Sequence, residues 1–199
     1  MAVSKVHPVE ALLEAYAAGQ RLFGENRVQE FQAKQPALAA CDALEMHLIG
    51  PLQSNKANRA VELFNAIDTV DSLKLAERLN TAAAALNRTL PILIEVKLSH
   101  EETKHGIAPV EVPALLDGID ALGNLSPKGL MTVPPWSEEA ETARPYFQQL
   151  RRLRDEASKR HPSVTGLSMG MSNDFVVAIE EGSTCIRIGT AIFGKRIPQ

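Results

Sequence analysis

The feature that most restricts the fold of this chain is a rhythm: short apolar, β-branched runs alternate with longer amphipathic segments from one end to the other. The runs predict strands at Ala2–Ser4 (the end of a first strand), Leu22–Phe23, Met46–Ile49, Ala66–Val70, Pro91–Lys97, Gly129–Val133, Thr165–Ser168 and Thr184–Ile188. Between them the spacing predicts helices over Val9–Ala18, Val28–Lys34, Lys56–Leu63, Val110–Leu122 and Glu138–Lys159, with two more running from Ser72 to Leu86 and from Ser172 to Glu181. Pro8 stands where a first-turn proline belongs, Gly19 closes the first helix, and Ser72 and Ser172 read as N-caps. Pro91–Lys97 is apolar enough to be buried on both faces, as central strands of parallel sheets are. Eight alternating βα units favour a closed parallel (β/α)₈ barrel over an open doubly wound sheet.

A chain of 199 residues can bury a sizeable core, although it is slightly short for a full barrel. No internal repeat, low-complexity tract or linker divides it, so residues 1–199 are expected to form one domain. The start is the irregular part, because the first strand has about three residues before Lys5 and no helix ahead of it.

Composition removes several function classes. With 45% apolar and 23% charged residues the chain is an ordinary soluble, globular one. A net charge of −3 supplies no long-range attraction for nucleic acid or anionic lipid. Arg151, Arg152, Arg154, Lys159 and Arg160 do cluster, but Asp155 and Glu156 are interleaved, as on a solvated helix face. Two cysteines, Cys41 and Cys185, without a CxxC pair point to neither a disulfide framework nor a metal site. No apolar run could span a bilayer and no secretory signal leads the chain, so a cytoplasmic location is expected.

In a barrel of this kind the working residues gather at the C-terminal ends of the strands. The loops after strands 7 and 8 often bind phosphate there, and in this chain they hold Ser168, Gly170, Ser172, Gly189 and Thr190. Glycines allow backbone N–H groups to approach an anion and hydroxyls add donors; the same residues also serve as helix caps and turns. Lys5 ends strand 1, and in a partly dry barrel mouth its amine would favour imine formation with an aldehyde; a surface lysine is the competing reading. Barrel closure sets strand 1 beside strand 8, which makes Lys5 a neighbour of the phosphate loops. Along strand 8, Cys185, Arg187 and Gly189 share one face. An inward Arg187 needs a polar partner, and a planar bound molecule would supply one; an outward Arg187 paired with a helix carboxylate is the alternative. Cys185 beneath it reads as a small core residue.

Several stretches match a known family in order. They are AVSK (2–5), FGENRVQE (23–30), HLIGPLQSNK (47–56), KHGI (104–107), GLM (129–131), LSMGMSND (167–174) and EGSTCIRIGTAIFG (181–194). On these the chain resembles the pyridoxal 5'-phosphate (PLP) homeostasis proteins, whose barrel is like the N-terminal domain of alanine racemase, the type III fold of PLP proteins. The resemblance implies that Lys5 carries PLP as a Schiff base and that Arg187 faces the pyridine nitrogen. It further implies that Ser168 and the backbone at Gly189 and Thr190 hold the phosphate, with Gly170 in the same loop. Asn26 and Met131 would line the pocket, with Met171 close by. An arginine at the ring nitrogen disfavours its protonation and weakens the electron sink, which suits a cofactor that is held rather than used for transamination. Two departures stand out: the family has an N-terminal helix and a fuller first strand ahead of the lysine, and its usual Thr and Lys after the lysine are Val6 and His7 here. The short first strand is expected to leave backbone groups of strands 2 and 8 unpaired, and His7 is expected to be solvated.

The function this implies is a PLP carrier or regulator without robust turnover, a monomer that binds PLP and can serve PLP-dependent apo-enzymes. The competing function is a PLP-dependent amino-acid racemase. Racemisation needs a base on each face of the substrate carbanion. In the racemases the second is a tyrosine from an added C-terminal domain, whereas Tyr16 and Tyr146 here fall on predicted outer helices. A barrel acting on phosphate sugars without PLP is a third reading, one that makes the Lys5 and Arg187 placements coincidental.

Overall fold

Seven strands pair side by side in chain order, all in parallel: β1 (Ala2–Val3), β2 (Leu22–Glu25), β3 (Glu45–Leu48), β4 (Ala66–Val70), β5 (Leu90–Glu95), β6 (Leu125–Met131) and β7 (Gly166–Ser168). The computed structural model describes residues 1–99 and 105–194, so Lys104 of the KHGI stretch lies outside the described residues. The helices that cover the sheet are α1 (Val9–Ala17), α2 (Val28–Lys34), α3 (Ala57–Leu63), α4 (Leu73–Ala85), α5 (Val112–Asp120), α6 (Arg144–Ala157), α7 (Phe175–Glu180) and α8 (Thr190–Phe193).

The expected eighth strand is not a continuous ladder. Cys185 and Ile188 form isolated parallel bridges, to Ser168 and Ala2 respectively. Thr184 N donates to Leu167 O (2.9 Å) and Met169 N to Cys185 O (3.2 Å) on one side; Val3 N donates to Ile188 O (2.8 Å) and Ile188 N to Met1 O (3.0 Å) on the other. The ring therefore closes through the 184–188 segment, by a few scattered hydrogen bonds on each side. The ladder breaks because Gly170, at φ +95°, turns the chain out of its extended path just after β7. The first strand is short but paired on both sides: its register with β2 is Ala2↔Phe23 and Val3↔Gly24, and Ser4 N extends it to Gly24 O at 3.0 Å.

Other differences from expectation are local. β6 starts at Leu125 and runs through Pro127, which cannot donate to the ladder; the register with β5 shifts there, from Ile92↔Pro127 to Leu93↔Gly129. Ser72 caps α4 as expected, accepting from Leu75 N at 3.3 Å. Ser172 does not cap α7: the helix begins at Phe175, and the Asp174 carboxylate closes the turn ahead of it by accepting from Met171 N at 2.6 Å. A short helix, α8, stands where a tail was expected.

The core lies between strands and helices. Phe23, Phe64 and Phe147 are its largest fully buried side chains, and α4 contributes Leu75, Ala76, Leu79, Ala82 and Ala83 from one face. The inner side of the ring is more polar. Glu95, Met131 and Ser168 are register partners across β5, β6 and β7, and the bridge to Ser168 adds Cys185. Register partners in a parallel sheet point to the same side, so these four form one layer inside the ring.

Candidate functional site

A cavity of about 480 Å³ opens at the C-terminal ends of the strands. Seven of the sequence-predicted residues line it together: Lys5, Asn26, Met171, Ser172, Arg187, Gly189 and Thr190. The turn after β1 brings Lys5 to the wall, and the closing 184–188 segment delivers Arg187 and then Gly189 and Thr190 at the start of α8. Gly50 in the loop after β3 is required by a close approach, since a Cβ there would lie 2.3 Å from Asn26 O. That packing holds the β2 and β3 loops against each other, with Asn26 on the cavity side.

Met131, Ser168 and Gly170 do not line the cavity. Met131 is fully buried and Ser168 nearly so, in the layer beneath. Their neighbourhood instead fixes Arg187. Ser168 Oγ accepts from Arg187 Nη1 (2.8 Å), Thr132 O accepts from Nη2 (2.7 Å), and Gly170 O accepts the Arg187 backbone N–H (2.9 Å). Thr132 is tied in turn, its hydroxyl donating to Val96 O at 2.8 Å. Gly170 is needed for packing as well as for its positive φ, because a Cβ would sit 2.5 Å from Ala178 Cβ. Both loops expected to cradle a phosphate thus reach the cavity, the β7 loop through Met171 and Ser172 and the closing segment through Gly189 and Thr190. The β7 loop also orients the guanidinium, through Ser168 Oγ and Gly170 O.

Arg187 is 5% exposed, and burial pulls its pKa down while Cys185, Asp68, Glu95 and Asp174 pull it up. The inward placement is therefore met by hydrogen bonds and surrounding acids together, as a buried cation requires. Below it, Asp68 bonds His47 Nδ1 at 3.0 Å. Burial also pushes the Cys185 thiol up, which keeps it protonated and a poor nucleophile.

Glu95 is the residue that sequence reasoning passed over. It lines the cavity at 8% exposure, and among the described residues its Oε2 has no hydrogen-bond partner. Desolvation, and then the nearby Asp71 charge, push its carboxyl up to about 7, against the pull of Arg187. The signal was present as a lone carboxylate inside the apolar run PILIEV, a position where burial is costly without a purpose. Asp68 inside AIDTV carries the same signature. Trp136, His105 and Ser137 also reach the cavity from loops. His7, expected to be solvated, is half-buried on the cavity wall, its ring centroid 5.0 Å from that of Phe193.

A lysine amine, a buried guanidinium, a hydroxyl and a backbone turn around one cavity suit a molecule that carries an aldehyde, a flat ring and an anionic group. Comparison with known proteins agrees. The family model for the alanine racemase N-terminal domain matches residues 1–197. The chain is 45% identical over 199 residues to the pyridoxal phosphate homeostasis protein of Vibrio alginolyticus, covering 98% of this chain and 85% of that protein. The structure of PipY of Synechococcus elongatus PCC7942 with PLP bound superposes with a TM-score of 0.92 at 45% identity, covering 98% of this chain and 91% of that one. Alanine racemase of Clostridium difficile shares the fold at a TM-score of 0.82 and 14% identity, with this whole chain covering 52% of it.

Proposed function

Because this chain belongs to the pyridoxal phosphate homeostasis family, on the alanine racemase N-terminal-domain fold, we propose that it holds PLP in the cavity and acts in PLP homeostasis as a reversible carrier. Residues 1–199 act as one PLP-binding domain. When bound, the cofactor supplies an aldehyde carbon that an amine can attack. Lys5 is the amine, Arg187 holds the ring nitrogen unprotonated, and the backbone at Gly189 and Thr190 with the Thr190 hydroxyl takes the phosphate. Asn26 and Met171 border the ring. Met131, Ser168 and Gly170 act from beneath, by packing and by orienting Arg187.

The single observation that carries this reading is that Lys5 and Arg187, 182 positions apart in sequence, line the same cavity as Gly189 and Thr190. A carrier is favoured over a racemase because Tyr16 and Tyr146, the two tyrosines of the chain, sit on α1 and α6 in the outer layer and neither lines the cavity. The protein works as a monomer in the cytoplasm and passes PLP to apo-enzymes. Among the described residues, no helix is long and apolar enough to cross a membrane. The test is an absorbance spectrum of the purified protein with PLP, followed by borohydride reduction and peptide mapping. An imine band that disappears on reduction, with the label on Lys5, is the expected result; label on another lysine, or none, overturns the assignment.

A further inference from the structure

Lys5 sits in a tight turn whose conformation its own residues do not favour. His7 N donates to Ser4 O at 3.1 Å, which makes Lys5 and Val6 the two central residues of a four-residue turn. Val6 has φ +61° and is 54% exposed. Turns with positive φ at the third position select glycine or asparagine, and a β-branched residue there is disfavoured. Packing cannot hold an exposed valine in that state, so something else must.

What holds it is a charged cluster on the side away from the cavity. The Glu30 carboxylate on α2 accepts the Val6 backbone N–H. Lys34, one turn on, donates to Glu30 Oε1 (3.0 Å), to Glu25 Oε1 at the end of β2 (2.8 Å) and to Ser4 O itself (3.2 Å). Ser4 Oγ donates to the same Glu25 oxygen at 2.8 Å. The residues on both sides of Lys5 are thus fastened to one ammonium and two carboxylates. The side chains of Lys34 and Glu25 are 11% and 0% exposed, so water and salt compete poorly with these bonds.

We propose that Glu30 and Lys34, anchored by Glu25, are positioning residues that hold the Ser4–His7 turn in its left-handed form and thereby aim Lys5 into the cavity. The clamp does not touch the cofactor. It sets how often the amine is where the aldehyde will be, so it acts on covalent capture and leaves the phosphate and ring contacts alone. This rests on Lys5 being the amine that takes PLP.

The test separates capture from binding. Purified wild type, Glu30→Gln and Lys34→Met are compared for the rate of borohydride-trapped imine on Lys5. Affinity is measured separately with 4'-deoxypyridoxine 5'-phosphate, which lacks the aldehyde, through the fluorescence of Trp136, the chain's one tryptophan, at the cavity rim. Loss of a hydrogen bond to a charged group shifts such an equilibrium by about tenfold, so capture should slow by about that factor in each variant while the analogue's affinity changes by less than about threefold. Lys34→Arg should recover part of the rate. Val6→Gly added to Glu30→Gln should recover most of it, because glycine adopts the positive φ unaided. Capture within about twofold of wild type in both single variants, or capture and analogue affinity falling in parallel, overturns the clamp. A PLP-free readout keeps the two readings apart. Acetylation of Lys5 by an N-hydroxysuccinimide ester, relative to Lys128, should speed up several-fold in Glu30→Gln. Unchanged acetylation refutes the clamp, whereas changed acetylation with no trapped imine in wild type refutes only the role of Lys5 toward PLP.

Discussion

The two walls of the cavity are built by different means. On the strand 7–8 side, Arg187 is fixed by backbone hydrogen bonds on either side of the 184–188 segment and by neutral oxygens of Ser168 and Thr132, under a glycine that α7 packs against. On the strand 1 side, a two-residue strand leads straight into a strained turn, and the turn is kept by ion pairs with α2. The first wall is held by packing and closure of the ring, so it changes only if the barrel changes. The second is held by charged side chains at its back, so one substitution there can disturb Lys5 while the barrel stays intact. A carrier benefits from this division, because firm non-covalent binding and adjustable covalent capture can then be set separately.

The largest effect expected from this contrast comes from Lys5→Ala. Imine absorbance and borohydride-trapped label should disappear completely, since Lys5 is the one lysine among the described residues that line the cavity. Non-covalent PLP affinity should stay within about a factor of ten, because the contacts proposed for Arg187, Gly189 and Thr190 lie on the opposite wall. Equilibrium dialysis with PLP measures the second quantity. A variant that loses both together would mean that the strand 1 side contributes to retention as well as to capture, and the division would fail.

Next in size is Arg187→Glu compared with Lys128→Glu. Both exchange a cation for a carboxylate, so net charge changes equally. Arg187 is buried among Asp68, Glu95 and Asp174, where a further carboxylate meets only repulsion and leaves Ser168 and Thr132 without their donor. Lys128 is exposed, in the middle of β6, and does not line the cavity. PLP affinity should fall about a hundredfold or more in the first variant and stay near wild type in the second. Equal affinities in the two would place Arg187 outside the site.

How much of this was readable beforehand differs between the walls for the same physical reasons. Strand periodicity placed β4 at Ala66–Val70 without error, and it put Lys5 and Arg187 at strand ends on one rim. It could not show that Gly170 and Ser168 serve Arg187, because those contacts depend on a positive φ and on side-chain reach across the ring. It overran β5 at Lys97 and shortened β6, since Pro127 reads as a strand breaker while the register shift beside it absorbs the missing donor. The clamp was invisible too: Glu25, Glu30 and Lys34 look like ordinary helix and loop charges until the fold brings Ser4 and Val6 beside them. Glu95 and Asp68 were the missed residues with a readable mark, a charge inside an apolar strand.

Glu95 gives the smallest expected effect and the one that tests the cavity floor shared by both walls. Its carboxyl is raised to about 7 in the folded protein, from an ordinary value of 4.5, mainly by desolvation. Between these two values the folded state binds a proton that the unfolded state has released, so stability falls as pH rises. The neutral form's contribution is fully present below about 4.5, drains away up to about 7 and is gone above it. Glu95→Gln replaces the carboxyl with a neutral group of the same size and removes this slope. Without cofactor, the variant should match wild type near pH 5 and exceed it by about 1–3 kcal/mol near pH 8, read from urea unfolding midpoints at the two values. Because Glu95 pulls the Arg187 guanidinium toward its charged form, the variant should also leave that cation less compensated, and PLP phosphate should bind slightly more tightly above pH 7 than in wild type. A stability difference that is the same at pH 5 and pH 8 would mean that Glu95 is ionised throughout, with solvent or Arg187 already satisfying its second oxygen. The floor would then be anionic at neutral pH, and Arg187 would be held from below by charge as firmly as by its hydrogen bonds.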